Sequence, residues 1–148
     1  MSKFGLRKLG FGILLFGMAV CCYTASPVKA AETDVPIDNK TFPDATFLKY
    51  VGRFDKSGDG RLSESERNAV KEIVVNVDPF SSQTKITSLA GIEYFPNLTV
   101  LECESNSLAG LDVTKNKKLQ ELNCDKNNLQ SLDVSQNTKL EGLHVYNT

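Results

Sequence analysis

Histidine occurs once in this chain, at His144, near the end of the sequence. No G-x-S-x-G, no H-E-x-x-H and no glycine-rich phosphate loop is present either, so the usual nucleophile, metal-hydrolase and nucleotide constellations are missing. Acidic pairs such as Glu102 and Glu104 alternate along what reads as an exposed strand, where solvation accounts for them. An enzyme is not expected. Positive charge is also lacking, with 17 basic against 18 acidic residues, which argues against nucleic acid and anionic membrane as partners. A long apolar run is absent outside the first thirty residues, so no membrane insertion is expected from the remainder.

The one apolar stretch has the layout of an export signal. Lys3, Arg7 and Lys8 form a positive start, residues 9–23 are apolar and broken by glycines, and Val28-x-Ala30 offers small residues for cleavage. Cleavage is expected after Ala30, which makes 1–30 a signal peptide and places the protein outside the cell, at the cell surface or in the periplasm. Lipid anchoring is the alternative, because Cys21 and Cys22 end the apolar run. Val20 stands where a small residue is expected before such a cysteine, which weighs against it. Removing the signal takes four basic and no acidic residues, so the rest carries a net charge of −5. Residues 31–40 are polar, contain Pro36, and read as a flexible linker.

Residues 55–66 read D-K-S-G-D-G-R-L-S-E-S-E. A calcium loop needs oxygen ligands at positions 1, 3, 5, 7, 9 and 12 and a glycine at 6. Asp55, Ser57, Asp59, the carbonyl of Arg61, Ser63 and Glu66 fill those positions, with Gly60 in the turn and Leu62 facing inward at position 8. Before the loop, Phe47, Leu48, Val51 and Phe54 share a helix face, and Pro43 and Asp44 suit its start. After it, Ser63 and Glu66 have the spacing of a capping box, opening a helix expected to carry Ala69, Val70, Ile73 and Val74 on one side. Residues 44–75 thus resemble one hand of the EF-hand family, and that resemblance implies bound Ca2+. EF-hands usually pair. A second loop is missing, so the lone hand needs another surface for its apolar faces.

Residues 98–148 repeat with a period of 21. Leu98, Leu119 and Leu140 form one column; Leu101, Leu122 and Leu143 another; Cys103, Cys124 and Val145 a third. Asn106 and Asn127, Leu108 and Leu129, and Leu111 and Leu132 follow. The pattern L-x-x-L-x-C-x-x-N-x-L is a leucine-rich repeat. Its asparagine stands where the strand ends and can bond turn backbone that would otherwise be buried unpaired. Ile86, Leu89, Ile92, Phe95, Leu98 and Leu101 suggest an irregular first coil, 72–78 an earlier strand, and 79–85 a polar loop. Terminal coils need covering, and the EF-hand-like unit is placed to cover the first one.

The expected fold class is therefore α+β: a helical EF-hand-like cap over 41–78, then a short leucine-rich-repeat solenoid over 79–148 with a parallel sheet on its concave face. The repeats amount to about two and a half coils, with Thr148 in the slot of Asn106 and Asn127. This plan resembles that of the internalin family, in which a helical cap related to an EF-hand is fused to leucine-rich repeats. What the resemblance implies is an exported bacterial recognition protein. Exposed strand positions Glu102, Glu104, Asn123, Asp125, His144 and Tyr146 are the expected ligand face, for a protein or a glycan. Self-association through the C-terminal coil is expected as well, because Leu140, Leu143 and Val145 have no following coil. The rival expectation is a structural amino-terminal remnant of a longer surface protein. Cys103 and Cys124, stacked one coil apart, would lie about 5 Å from each other. Both a disulfide and a pair of buried free thiols fit that spacing, and the narrow coil favours thiols.

Overall fold

A computed structural model describes residues 33–146. The expected signal segment and its cleavage site, Cys21, Cys22 and Thr148 lie outside the described residues. Helix α1 (Ala45–Val51) starts where Asp44 caps it, the carboxylate accepting from the Thr46 and Phe47 amides at 2.9 Å. Phe47 and Val51 are buried from its inner face, and a 3-10 turn (Gly52–Phe54) carries Phe54 onto the same core. The loop follows, then α2 (Glu64–Ala69), opened by a complete capping box between Ser63 and Glu66.

Helix α2 is shorter than the sequence pattern suggested. The chain leaves it at Val70, which is extended (φ −75°, ψ 118°), so Ile73 and Val74 do not continue its apolar face. The cause is a run of alternating residues. Ile73, Val75 and Val77 are buried while Glu72, Val74 and Asn76 are exposed, and a period of two with β-branched side chains favours a strand. Strand β3 (Glu72–Val74) forms there, as the earlier-strand reading of 72–78 anticipated. It belongs to the repeat sheet, so that sheet begins inside the segment assigned to the cap.

Three more strands, β4 (Val100–Glu102), β5 (Glu121–Asn123) and β6 (Gly142–His144), complete a parallel sheet in the order β3, β4, β5, β6. One strand comes from each coil and the register keeps the repeat: Ile73, Leu101, Leu122 and Leu143 align. Another small sheet lies in the cap. Val35–Pro36, strand β1, pairs antiparallel with Arg61–Leu62, strand β2. Ile37 donates to the Gly60 carbonyl at 3.0 Å, and the Arg61 and Arg67 guanidiniums donate to the Asp34 and Thr33 carbonyls. Val35 is buried in the core. The stretch expected as a linker therefore contains a docked strand, held because Val35 gains apolar burial on a backbone edge that needs partners.

A single apolar core runs from Val35 through Phe42, Phe47, Leu62 and Phe95 to Leu122 and Leu129. Polar side chains organise its turns. Asn106 donates to the carbonyls of Val75, Cys103 and Glu104 at 2.8–3.3 Å and accepts from the Ile86 amide at 2.8 Å. Asn127 repeats this one coil later with Cys103, Cys124, Asp125 and Leu108. A second ladder stands across the coil, where Asn116 donates to Ile92 and Phe95 and Asn137 to Val113 and Asn116. In the first coil Phe95 fills that asparagine slot. It faces the cap instead of a coil, with ring centroids 5.6 Å from Phe54 and 6.5 Å from Phe42.

Cap and first coil are also joined through Asp44, whose second carboxylate oxygen accepts from the Thr87 amide and hydroxyl at 2.8 and 2.9 Å. Gly91 has φ +100°, and a Cβ there would stand 2.3 Å from the Phe42 ring. Gly91→Ala should therefore cost about 3 kcal/mol, from the left-handed backbone and the forced shift of a packed ring. Gly110→Ala, with open space around it, should stay within about 0.5 kcal/mol of the parent in urea melts.

Candidate functional site

Two regions gather the residues singled out by the sequence. The first is the loop between α1 and α2. Gly58 and Gly60 have φ +72° and +77°, which lets the chain turn back on the Asp55 carboxylate. One oxygen of Asp55 accepts from the Gly58 amide at 2.6 Å and the Ser57 hydroxyl at 3.0 Å, the other from the Gly60 amide at 2.9 Å. Glu66 reaches back from α2. Its Oε1 accepts from the Lys56 and Ser57 amides at 2.7 and 3.0 Å, and its Oε2 from the Ser63 amide and hydroxyl at 2.8 and 2.7 Å. Ser57 thus bonds to both carboxylates. Burial pushes the Glu66 carboxyl up, but the Ser63, Ser57 and Lys56 donors outweigh it and bring it down to about 2. For Asp55 burial again opposes, and bonds from Gly60, Gly58, Ser57 and Asp59 hold it below its ordinary value.

Asp59 is placed differently. Its carboxylate accepts from the Arg61 amide at 2.9 Å, within its own turn. Arg61 lies in β2, and Leu62 is fully buried as position 8 requires. Among the described residues no group of three or more His, Cys, Asp or Glu side chains is gathered for a metal ion. The donor set is nonetheless all oxygen, two of its carboxylates are held ionised, and the turn has its glycines, which suits a hard cation such as Ca2+.

The second region is the exposed face of the parallel sheet. Its outward columns are Glu72, Val100, Glu121, Gly142 and Val74, Glu102, Asn123, His144. Asn76, Glu104, Asp125 and Tyr146 continue it beyond the strand ends. All six expected ligand-face residues lie here. Glu104 is paired with Lys126 at 2.6 Å, a contact the sequence columns did not suggest, and that lysine's bond and charge lower the Glu104 carboxyl. Asn76 donates to Glu102 at 2.7 Å, and Asp125 accepts from the Tyr146 amide. Between β4 and β6 the missing side chain of Gly142 leaves a notch of about 240 Å³, walled by Glu102, Glu121, Asn123 and His144 over the strand backbone at Leu122.

Beneath this face Cys103 and Cys124 are buried free thiols. Each donates to the next coil's strand, Cys103 to the Asn123 carbonyl at 3.3 Å and Cys124 to the His144 carbonyl at 3.5 Å. Burial, with Asp125 nearby, pushes the Cys124 thiol up to about 11, and deeper burial pushes Cys103 higher still.

The fold has solved counterparts. The functional domain of InlJ from Listeria monocytogenes, described as including a cysteine ladder, matches with a TM-score of 0.64 and 31% identity. The fold is internalin-like. That match covers 79% of this chain and 24% of InlJ's. An internalin (InlF) from the same organism matches at TM-score 0.66 and 24% identity, over 79% of this chain and 34% of its own. Internalin C2 follows at 0.58 and 23%, over 76% and 48%. The chain therefore spans between a quarter and a half of the length of these structures. No protein-family model and no curated protein matches it. No described helix is long and apolar enough to cross a membrane.

Because the Glu66 carboxyl lies below its ordinary 4.5, its bonds stabilise the fold above that pH and are lost as pH falls toward 2. Thermal melts of the parent should decline through that window. Glu66→Gln should be less stable at neutral pH and change less between pH 5 and 2. Thiol labelling at pH 8, located by mass spectrometry, should leave Cys103 and Cys124 unmodified in the folded chain and modify both in denaturant, because the reactive thiolate is suppressed by burial.

Proposed function

We propose that this chain is an exported recognition protein that binds a protein ligand on its exposed sheet face, with a calcium ion held in the cap loop. The observation that carries the recognition reading is the continuous outward face of four parallel strands in an internalin-like fold. Its mixture of carboxylates, amides, His144 and Tyr146 suits a protein surface. Export rests on the amino-terminal signal pattern. The rival, an amino-terminal piece of a longer surface protein with no activity of its own, draws on the chain's short span relative to its structural counterparts. Peptide display against the immobilised chain separates the two. Recognition predicts clones whose saturable binding is lost in Asn123→Arg, on the face, and kept in Gln130→Arg, off it. Failure to select any such clone favours the rival.

The calcium reading rests on the loop. Asp55, Ser57, Asp59, the Arg61 carbonyl, Ser63 and Glu66 would hold the ion, which would supply a positive charge that draws Asp59 in toward Asp55 and Glu66. Three carboxylates and two neutral serines make a weak site, in the range of about 10⁻⁴–10⁻³ M. Calorimetry should show one calcium per chain, abolished by Glu66→Gln and weakened about tenfold by Asp59→Asn, which leaves the capping box intact. At free calcium about ten times the dissociation constant, the ion should add about 1.4 kcal/mol. A melting temperature unchanged between calcium and chelator would refute the site.

A further inference from the structure

The exposed sheet face carries carboxylates that its own cations do not balance. Glu72, Glu102 and Glu121 stand on three adjacent strands of the exposed sheet. Glu72 and Glu121 have no partner among the described residues, and Glu102 has only the Asn76 amide on one oxygen. Lys126 is spent on Glu104. The other lysines of the repeats (Lys115, Lys117, Lys118 and Lys139) sit in the turns, off the strands. Like-signed carboxylates one strand apart repel each other, and a folded chain that keeps them uncompensated presents a field that attracts a complementary surface.

Shape adds to charge. Gly142 occupies the column of Val100 and Glu121, so the strand surface dips there into the notch between Glu102 and Glu121. Its volume of about 240 Å³ is on the scale of one long side chain. The walls offer two carboxylates, the Asn123 amide and His144, and the floor is the backbone at Leu122 and Gly142 with the Glu121 methylenes alongside. A lysine or arginine suits this combination, with a methylene stem to lie over Gly142 along the Glu121 methylenes and a cationic head for the carboxylates. A saccharide suits it less, because the strands carry no aromatic platform and Tyr146 stands beyond β6.

Building on the recognition reading, we propose that the sheet face over β4–β6 docks a lysine- or arginine-bearing segment of a protein partner, one basic side chain entering the notch above Gly142. The occupant is a basic protein segment, and a second copy of this chain, offering its lysine turns, is the competing occupant that the test must separate.

The test titrates the isotope-labelled chain with a short arginine-rich peptide and follows backbone amide shifts. Saturable shifts confined to β4–β6 are expected, weakening severalfold when salt rises from about 0.15 to about 0.5 M. The double variant Glu102→Gln/Glu121→Gln should lose about tenfold in affinity. Gly142→Ala, which fills the notch without changing charge, should also weaken binding severalfold, while Glu141→Gln should have no effect. Shifts spread over the surface, or affinity unchanged in both the double variant and Gly142→Ala, would overturn the proposal. So would a concentration-dependent dimer in sedimentation that the double variant abolishes, which would assign the face to a second copy. Display-selected peptides that bind this face yet ignore the double variant would sink the basic-segment inference and leave recognition standing. No ligand reaching the face at all would sink both.

Discussion

A coil of this size cannot satisfy its own turns. Each one folds its backbone back on itself in the interior, leaving carbonyls and amides shut away from water, and such groups cost free energy unless they are bonded. Asn106 and Asn127 meet this constraint on one side of the coil and Asn116 and Asn137 on the other, each lending its amide to backbone that has no strand or helix partner. Leucine columns supply the driving force for burial. The asparagines make burial in this particular geometry tolerable, while the backbone ladder between strands sets their spacing.

The cap solves the same problem by different chemistry. Where the first coil has no coil before it, Phe95 replaces asparagine, and the stack ends in an aromatic cluster with Phe42, Phe47 and Phe54. Edge-on and tilted ring contacts of this kind add modestly to their area of burial. Asp44 serves two units at once, capping α1 with one oxygen and gripping Thr87 with the other. The free edge of β3 is closed by Tyr50, whose hydroxyl accepts from the Val74 amide at 3.2 Å, so the sheet has a protected end toward the cap.

Much of this was readable in the residues. The 21-residue register gave the strand positions, the inward columns and the outward face, because a side chain's direction in a strand follows from parity alone. Asp44, Ser63 and Glu66 announced their helix starts by type and spacing. Other features were hidden. Val70, Ile73 and Val74 satisfy a helix face and a strand alternation equally, and only the pairing of 72–74 with β4 decides between them. Val35–Pro36 is too short to show a period, so its docking on β2 had no local signal. The ladder of Asn116 and Asn137 did leave a trace, two asparagines one repeat apart, but their burial was not evident from their polarity. In the loop, side-chain order was legible while the turning of Asp59 toward Arg61 was not. The notch above Gly142 arises from one absent side chain between neighbours that only the register brings together.

The direction of the asparagine bonds has a further consequence. Asn106 donates to Val75 just past the end of β3, Asn127 to Cys103, Asn137 to Val113. Both Asn106 and Asn127 also accept from amides of the preceding coil's second half. Every rung therefore leans backward, onto chain that is made before the asparagine itself and leaves the ribosome ahead of it. A nascent chain can settle coil upon coil in the order of synthesis, each finished turn serving as a template for the next, and lengthening such a solenoid requires no rearrangement of what lies behind it.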